Sequence, residues 1–142
     1  MNSVLIKPAS LAFLRVSLGI LMIFWGLDKL VNAAHSLWVA NNYYLSLFAT
    51  AELQHILGVI QIVLGLLVVA GLGRRYAYPV LLVVTGITLL SVWKSIIDPW
   101  GWYLEGAKVL YHPSLIIFAG ACVLLAFRAD DTVALDTRFA KG

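Results

Sequence analysis

Asp28 and Lys29 sit side by side near the end of an apolar run, LRVSLGILMIFWGLDKL, which opens with Leu14 and Arg15. Twelve uncharged residues separate Arg15 from Asp28, a helical rise of about 18 Å, whereas a bilayer's hydrocarbon core is about 30 Å thick. Arginine and lysine can extend their stems toward water. Aspartate is too short for that, so Asp28 is expected to face neighbouring helices and to hold a partner. A charge at that depth costs about 2.5–3.5 kcal/mol on insertion scales and persists where it has a use. The bland alternative is a short helix in a thinned bilayer.

Other segments bring polar groups to the level of Asp28: Glu52, Gln54 and His55; Ser91, Lys94 and Asp98; Tyr111 and His112. Lys94 and Asp98 stand one helical turn apart and read as an i,i+4 pair. Groups of this kind converge between the helices of a bundle. The pattern predicts a polar, outward-opening pocket with Arg15, Asp28, Lys29, Glu52, His55, Lys94, Asp98 and His112 as its ligand-binding residues. Trp25, Trp93, Trp100 and Trp102 are placed at its rim. Taken singly, each is an ordinary headgroup-level residue; the set is what suggests a site.

Several chemistries compete for such a pocket. A bis-histidine haem on His55 and His112 is disfavoured, and a two-haem cytochrome would need four histidines where the chain has three. An ion transporter wants a carboxylate near mid-bilayer, and the later helices offer none there. A quinone fits better, since it needs an apolar slot, an imidazole or ammonium donor and a proton path. His55, His112, Lys29 or Lys94 could donate, with Glu52, Asp28 or Asp98 as relays. The chain has no GxGxxG, and its one cysteine, Cys122, allows no CxxC pair. Cys122 reads as a small packing residue, and a structural zinc site lacks ligands. Electrons must come from a partner protein or a bound group.

The elements that position these residues follow from composition and period. The chain is 142 residues long, 62% hydrophobic and 12% charged, against about a quarter charged for soluble domains. It is too apolar for a water-soluble domain of this size. The net charge of +3 comes with no basic stripe, which argues against nucleic acid. Four apolar stretches are expected to cross the bilayer: 8–31, 53–72, 76–97 and 112–127. Pro8, Pro79 and Pro113 all fall in first turns. The first stretch is too long, and too charged within, for a signal peptide, and reads as a retained helix.

The tight turn 71–75 makes the second and third helices antiparallel neighbours. Residues 32–51, with Leu37, Trp38, Tyr43, Tyr44, Leu47 and Phe48, read as a segment lying in the headgroup zone. His35 reads as a solvated loop residue, and 98–103 as a turn with interface anchors. Gln54, Gly58, Gln61 and Gly65 form a small-and-polar stripe that suits helix packing. The residues after Arg128 read as a polar, loosely ordered tail. Lys7, Arg74, Arg75, Arg128, Arg138 and Lys141 fall on one side, against Lys108 with Lys29 and Lys94 on the other. That asymmetry places both termini in the cytoplasm.

The stretch LRVSLGILMIFWGLDKLVN resembles the first helix of the DoxX family of small bacterial membrane proteins. The resemblance lies in an arginine, a glycine four residues on and a distal Gly-x-x-Lys: Arg15, Gly19, Gly26 and Lys29. LGVIQIVLGLLVVAGLGRR is similar to the family's second helix and basic turn, through Gly58, Gly65, Gly71 and Arg74 or Arg75. Where the family often carries a glutamate inside that helix, this chain has Gln61, so a proton role for that position does not carry over. The resemblance implies a four-helix fold and an association with redox systems, including a thiosulfate:quinone oxidoreductase, assembly factors and partners of secreted redox enzymes.

The expectation is therefore an all-α protein: an integral membrane four-helix bundle over 1–128, with an interfacial segment in the first outer loop and a cytoplasmic polar tail over 129–142. It sits in a bacterial inner membrane as an accessory subunit of a quinone-linked or thiol-linked oxidoreductase system. Its partners are the lipid bilayer and a redox or secreted protein, with self-association left open. The rival readings are a non-catalytic anchor or assembly factor, and a small transporter or lipid-binding protein.

Overall fold

The computed structural model describes residues 3–47, 49–106 and 110–139, and every regular element among them is a helix. In chain order these are α1 (Ser3–Val31), α2 (Ala33–Tyr43), α3 (Ala51–Ala70), α4 (Arg74–Ser91), α5 (Trp93–Ile97), α6 (Pro113–Ala126) and α7 (Asp136–Phe139). Two are long and apolar enough to cross a membrane, Ile6–Val31 of α1 and the whole of α3. Phe48, Lys108 and Lys141 lie outside the described residues, so the expectations placed on them stand aside.

Local chemistry sets the boundaries. Thr50 caps α3, its hydroxyl accepting from the Leu53 N–H at 3.4 Å. At the other end Gly71 takes φ 69°, the left-handed value that glycine adopts without penalty. The Leu72 N–H then reaches back to the Leu67 carbonyl at 2.9 Å, closing the helix. Pro113 occupies the first turn of α6, as its sequence position predicts. Pro8 does not start its helix: α1 begins at Ser3 and carries Pro8 inside.

The third apolar stretch is not one helix to Ile97. α4 stops at Ser91, Val92 leaves helical geometry at φ −103°, ψ 18°, and the short α5 follows. The cause lies in the last two turns. Thr85, Thr88 and Ser91 each turn a hydroxyl onto a carbonyl three or four residues back, at 2.7–3.1 Å, and such bonds compete with the helical ladder. α6 is also shorter than expected. Its 14 residues rise about 21 Å, less than a full hydrocarbon core.

The closest pairings are α1 with α3 and α4 with α6. α1 and α3 run antiparallel and meet at two glycine pairs seven residues apart on each helix. A Cβ on Gly19 would come within 2.8 Å of the Gly65 carbonyl oxygen, and one on Gly65 within 2.6 Å of the Gly19 oxygen. Gly26 and Gly58 repeat the arrangement at 2.6 and 2.8 Å. Gly58 and Gly65 of the packing stripe thus face Gly19 and Gly26 across one seam. The core gathers beside it from four helices, with Met22 of α1, Val68 of α3, Tyr78 and Leu81 of α4, and Ala121 and Leu124 of α6 all nearly or fully inaccessible.

The tail is not loosely ordered. Asp131 and Ala134 are fully buried. The Leu135 and Asp136 N–H groups donate to the Ala70 and Gly71 carbonyls at 3.2 and 3.1 Å, satisfying the free end of α3. Cys122, expected to pack inside, is exposed on α6.

The seam carries a measurable prediction. Gly65→Ala puts a methyl against the backbone of α1, and overpacking of this kind costs about 1–3 kcal/mol. Reversible denaturation of the detergent-solubilised protein should show that loss, while Gly86→Ala, where only the edge of the Phe118 ring comes near at 3.2 Å, should cost less.

Candidate functional site

The bundle has two polar ends, and they differ in kind. At the turn end, around 71–73, a buried ion cluster is assembled from distant parts of the chain. Asp131 of the tail accepts a hydrogen bond from the Tyr78 hydroxyl at 2.7 Å. The same carboxylate oxygen lies 3.1 Å from Nε of Arg15 and 3.7 Å from Nη1 of Arg74. The Arg15 Nε–H is not aligned for a hydrogen bond, so that contact is an ion pair. Arg15 also donates through Nη1 to the Val68 and Val69 carbonyls. Arg74 donates to the carbonyls of Arg128 and Asp131 at 2.9 and 2.8 Å. Asp136 accepts from the Gly73 and Arg74 N–H groups, both at 3.0 Å. Both guanidinium groups are held by carbonyls and carboxylates of the protein itself, which suits a fastening and not a ligand site. Arg15, expected to bind ligand, is therefore placed far from Asp28 and held by the tail. Of the two arginines of the turn, Arg74 is buried and Arg75 exposed.

At the other end lies a cavity of about 430 Å³, within the range of small-molecule sites. Its floor and one wall come from α1 and α3: Trp25, Asp28 and Lys29, then Gln54, Leu57, Ile60 and Gln61. Val84, Ile87, Thr88, Ser91 and Val92 from α4 and its end form the opposite wall. α2 lays one face over it, Ser36, Val39, Ala40 and Tyr43, spaced as one side of a helix. Tyr111 and Ser114 close the side toward α6. α2, which falls in the stretch expected to lie in the headgroup zone, is thus the roof of the site.

The polar groups of the cavity are few and placed apart. Lys29 donates to the Trp25 carbonyl at 3.4 Å and has no carboxylate within ion-pair distance among the described residues. The glycine seam sets its position, since a Cβ on Gly58 would lie 3.1 Å from the Lys29 Cβ. Gln61, three residues further along α3, stands about 4.5 Å deeper, and its buried Oε1 has no hydrogen-bond partner. An unmet buried acceptor costs roughly 1–3 kcal/mol. Tyr44 and Thr88 share a hydroxyl contact at 3.1 Å across the cavity. Tyr43 and Tyr111 pack edge to face at 5.3 Å between centroids. The Tyr111 phenol is pushed up to about 12, first by its hydrogen bond with Tyr43 and then by burial. It stays a proton donor at neutral pH and cannot serve as a base.

The predicted residues distribute as follows. Asp28 and Lys29 line the cavity. Asp28 finds a hydrogen-bond partner in His35, Nδ1 to Oδ2 2.6 Å, so His35 is a partnered residue of α2 and not a free loop histidine. Glu52, His55 and His112 are exposed and outside the cavity lining. Lys94 lines a second, smaller cavity of about 300 Å³ with Trp93 and Glu105. Asp98 does not pair with Lys94. Its carboxylate accepts from the Trp102, Tyr103 and Leu104 N–H groups at 3.0, 2.6 and 2.8 Å and shapes the loop after α5. Burial alone would raise its pKa, but these backbone donors hold it below the usual carboxylate range. Of the tryptophans, Trp25 reaches the main cavity, while Trp100 stacks on Trp102 at 5.4 Å in the loop.

Sequence reasoning missed Gln61 as a cavity residue, and missed His35 and Asp131 as partners. Gln61 stood in the stripe assigned to packing. For His35 the signal was the short aspartate one helix earlier, which needed a nearby partner. Asp131 gave no local signal. Among the described residues, no three His, Cys, Asp or Glu side chains gather as metal ligands.

With this geometry in place, comparison with known proteins gives one finding. The DoxX family model matches residues 10–93, more than half of the chain, and the protein belongs to the DoxX family. No curated protein and no solved structure matches it. The matched residues run from α1 to the start of α5 and carry most of the cavity wall. Asp131 and the rest of the tail fall outside them.

Two outcomes follow for the fastening. Asp131→Asn leaves the buried Arg15 without a counter-charge, while Arg74 keeps Asp136 at 3.4 Å, and should cost about 3–5 kcal/mol, whereas Arg75→Ala should change stability by less than about 0.5 kcal/mol. Asp136 supplies a pH test. Burial raises its pKa, but the Arg74 and Gly73 N–H groups and then the Arg74 guanidinium outweigh that and hold it low. A depressed folded pKa stabilises above the ordinary carboxylate range and loses that stability as pH falls through the folded value. Acidification below the usual carboxylate range should expose the 129–139 segment to proteolysis, and Asp136→Asn should flatten that dependence.

Proposed function

We propose that this protein is a membrane-embedded accessory subunit of a redox system, and that its cavity holds a quinone. In this reading α1, α3, α4 and α6 lie in a bacterial inner membrane with both termini in the cytoplasm and the α2 end outward. The apolar exterior supports immersion: Phe13, Val31, Leu90 and Ile116 are each more than two-thirds exposed, a surface that water would penalise. Arg74, Arg75 and Arg128 cluster at the turn end, on the side the lysine and arginine asymmetry assigns to the cytoplasm.

The observation that carries the quinone reading is Lys29. It is an ammonium group inside an aromatic and aliphatic cavity, without an ion-pair partner there, and it can donate to a ring carbonyl. Tyr43, Tyr44 and Tyr111 offer further donors, and Asp28 with His35 stands at the rim for proton exchange. The chain holds no redox group of its own in this reading, so electrons pass to a partner. Transport is less well supported, because the Asp98 carboxylate is consumed by its own loop.

Protein purified in mild detergent should carry extractable quinone. Lys29→Met should lower its occupancy roughly tenfold, the worth of one hydrogen bond from a charged donor. His55→Ala, outside the cavity, should leave it unchanged. Equal occupancy in both variants would reject the assignment. If the unaltered protein carries none, the anchor reading takes its place. It rests on the Asp98-ordered loop, where Trp102 and Tyr103 are 73% and 87% exposed and could meet a partner protein.

A further inference from the structure

We infer that the cavity is loaded sideways from the bilayer, through a gap between α3 and α4 at Ile60 and Ile87, and that its ligand is a tailed amphiphile whose chain stays in that gap. The inference rests on the quinone reading for the ring and adds the tail and its route.

Ile60 and Ile87 line the cavity, yet they are 53% and 48% exposed on the outside of the protein. A residue that faces both an interior space and the exterior marks a rim. The two stand at similar heights. Ile60 lies eleven residues before Gly71 and Ile87 fourteen after Gly73, about 16 and 21 Å above the turn that joins their helices.

The helices' pairings explain why a gap should open there. α3 is bound closely to α1 through the glycine seam, and α4 packs mainly on α6. The α3 and α4 residues of the core, Leu64, Val68, Tyr78 and Leu81, lie nearer the joining turn, and Ile60 and Ile87 stand beyond them toward the α2 end. There α2 closes the top, with Ser36 and Ala40 only 4% and 2% exposed. The top is roofed and its edge is polar, at Asp28 and His35. The side is open and its edge is aliphatic.

An amphiphile matches this division. Its polar ring would sit beside Lys29, and its chain would leave past Ile60 and Ile87 into hydrocarbon without crossing a polar surface. A water-soluble solute would gain nothing from an aliphatic edge that faces lipid.

The test uses the full chain in detergent micelles and two ligands, a benzoquinone bearing a ten-carbon chain and the same ring with a methyl in its place. Dissociation constants are read from tryptophan quenching and expressed per mole of detergent, so that partitioning cancels between variants. Ile60→Trp and Ile87→Trp block the gap. Val59→Trp adds equal bulk to the outside of α3 at a residue that does not line the cavity. The gap-blocking variants should weaken the chain-bearing ligand about tenfold, the loss of a few methylene contacts. They should leave the short ligand within about twofold, and Val59→Trp should change neither. Equal weakening of both ligands, or no weakening of either, would overturn the lateral route while the ring site stands. If neither ligand binds the unaltered protein, the ring site falls as well and takes the route with it.

Discussion

Contact between two backbones governs this structure. At Gly19–Gly65 and Gly26–Gly58 the main chains of α1 and α3 approach so closely that a methyl at any of the four positions would strike a carbonyl oxygen. Such contact fixes the rotation and register of both helices at once, because sliding by one residue would bring a side chain into the seam. With register fixed, Lys29 and Gln61 must share one wall, and Asp28 must point toward α2. The apolar exteriors of the two helices then have only lipid or the other pair to meet.

A second constraint acts at the far end. Arg15 is nearly inaccessible, 4% exposed, and a buried guanidinium needs acceptors and a counter-charge. The carbonyls of Val68 and Val69 supply the acceptors, and the tail supplies the charge. Asp131 also serves Tyr78 and Arg74, so one carboxylate ties α1, the α3–α4 turn and α4 together. This makes the turn end compact and charge-matched, though Arg15 Nε and Asp131 Oδ1 make no hydrogen bond there. At the α2 end the buried Gln61 Oε1 is unpartnered as well, and it stands beside open space.

Much of the fold was legible because its signals are local or periodic. The span of α3, the tight turn at Gly71, the start of α6 at Pro113 and the packing role of Gly58 and Gly65 follow from composition and spacing. The apolar and aromatic content of residues 32–51 likewise marks the stretch that holds α2. The site was less legible. In helices that are apolar on nearly every side, sequence does not reveal which side faces a neighbour, and that rotation is what leaves Glu52, His55 and His112 outside. Asp98 was misread because backbone N–H groups, unlike a lysine at i−4, leave no trace in residue types. The break at Val92 came from three hydroxyls that each look harmless alone. The partner of Arg15 lies at the opposite end of the chain, beyond the reach of any windowed pattern.

That last separation has a consequence for biogenesis. The arginine is made with α1, and its counter-ion follows 116 residues later in the chain. At ordinary translation speeds the interval is on the order of ten seconds, far longer than a helix needs to insert and find neighbours. Throughout it the Arg15 guanidinium lacks its native counter-charge, and helix packing at that end stays provisional until Asp131 arrives.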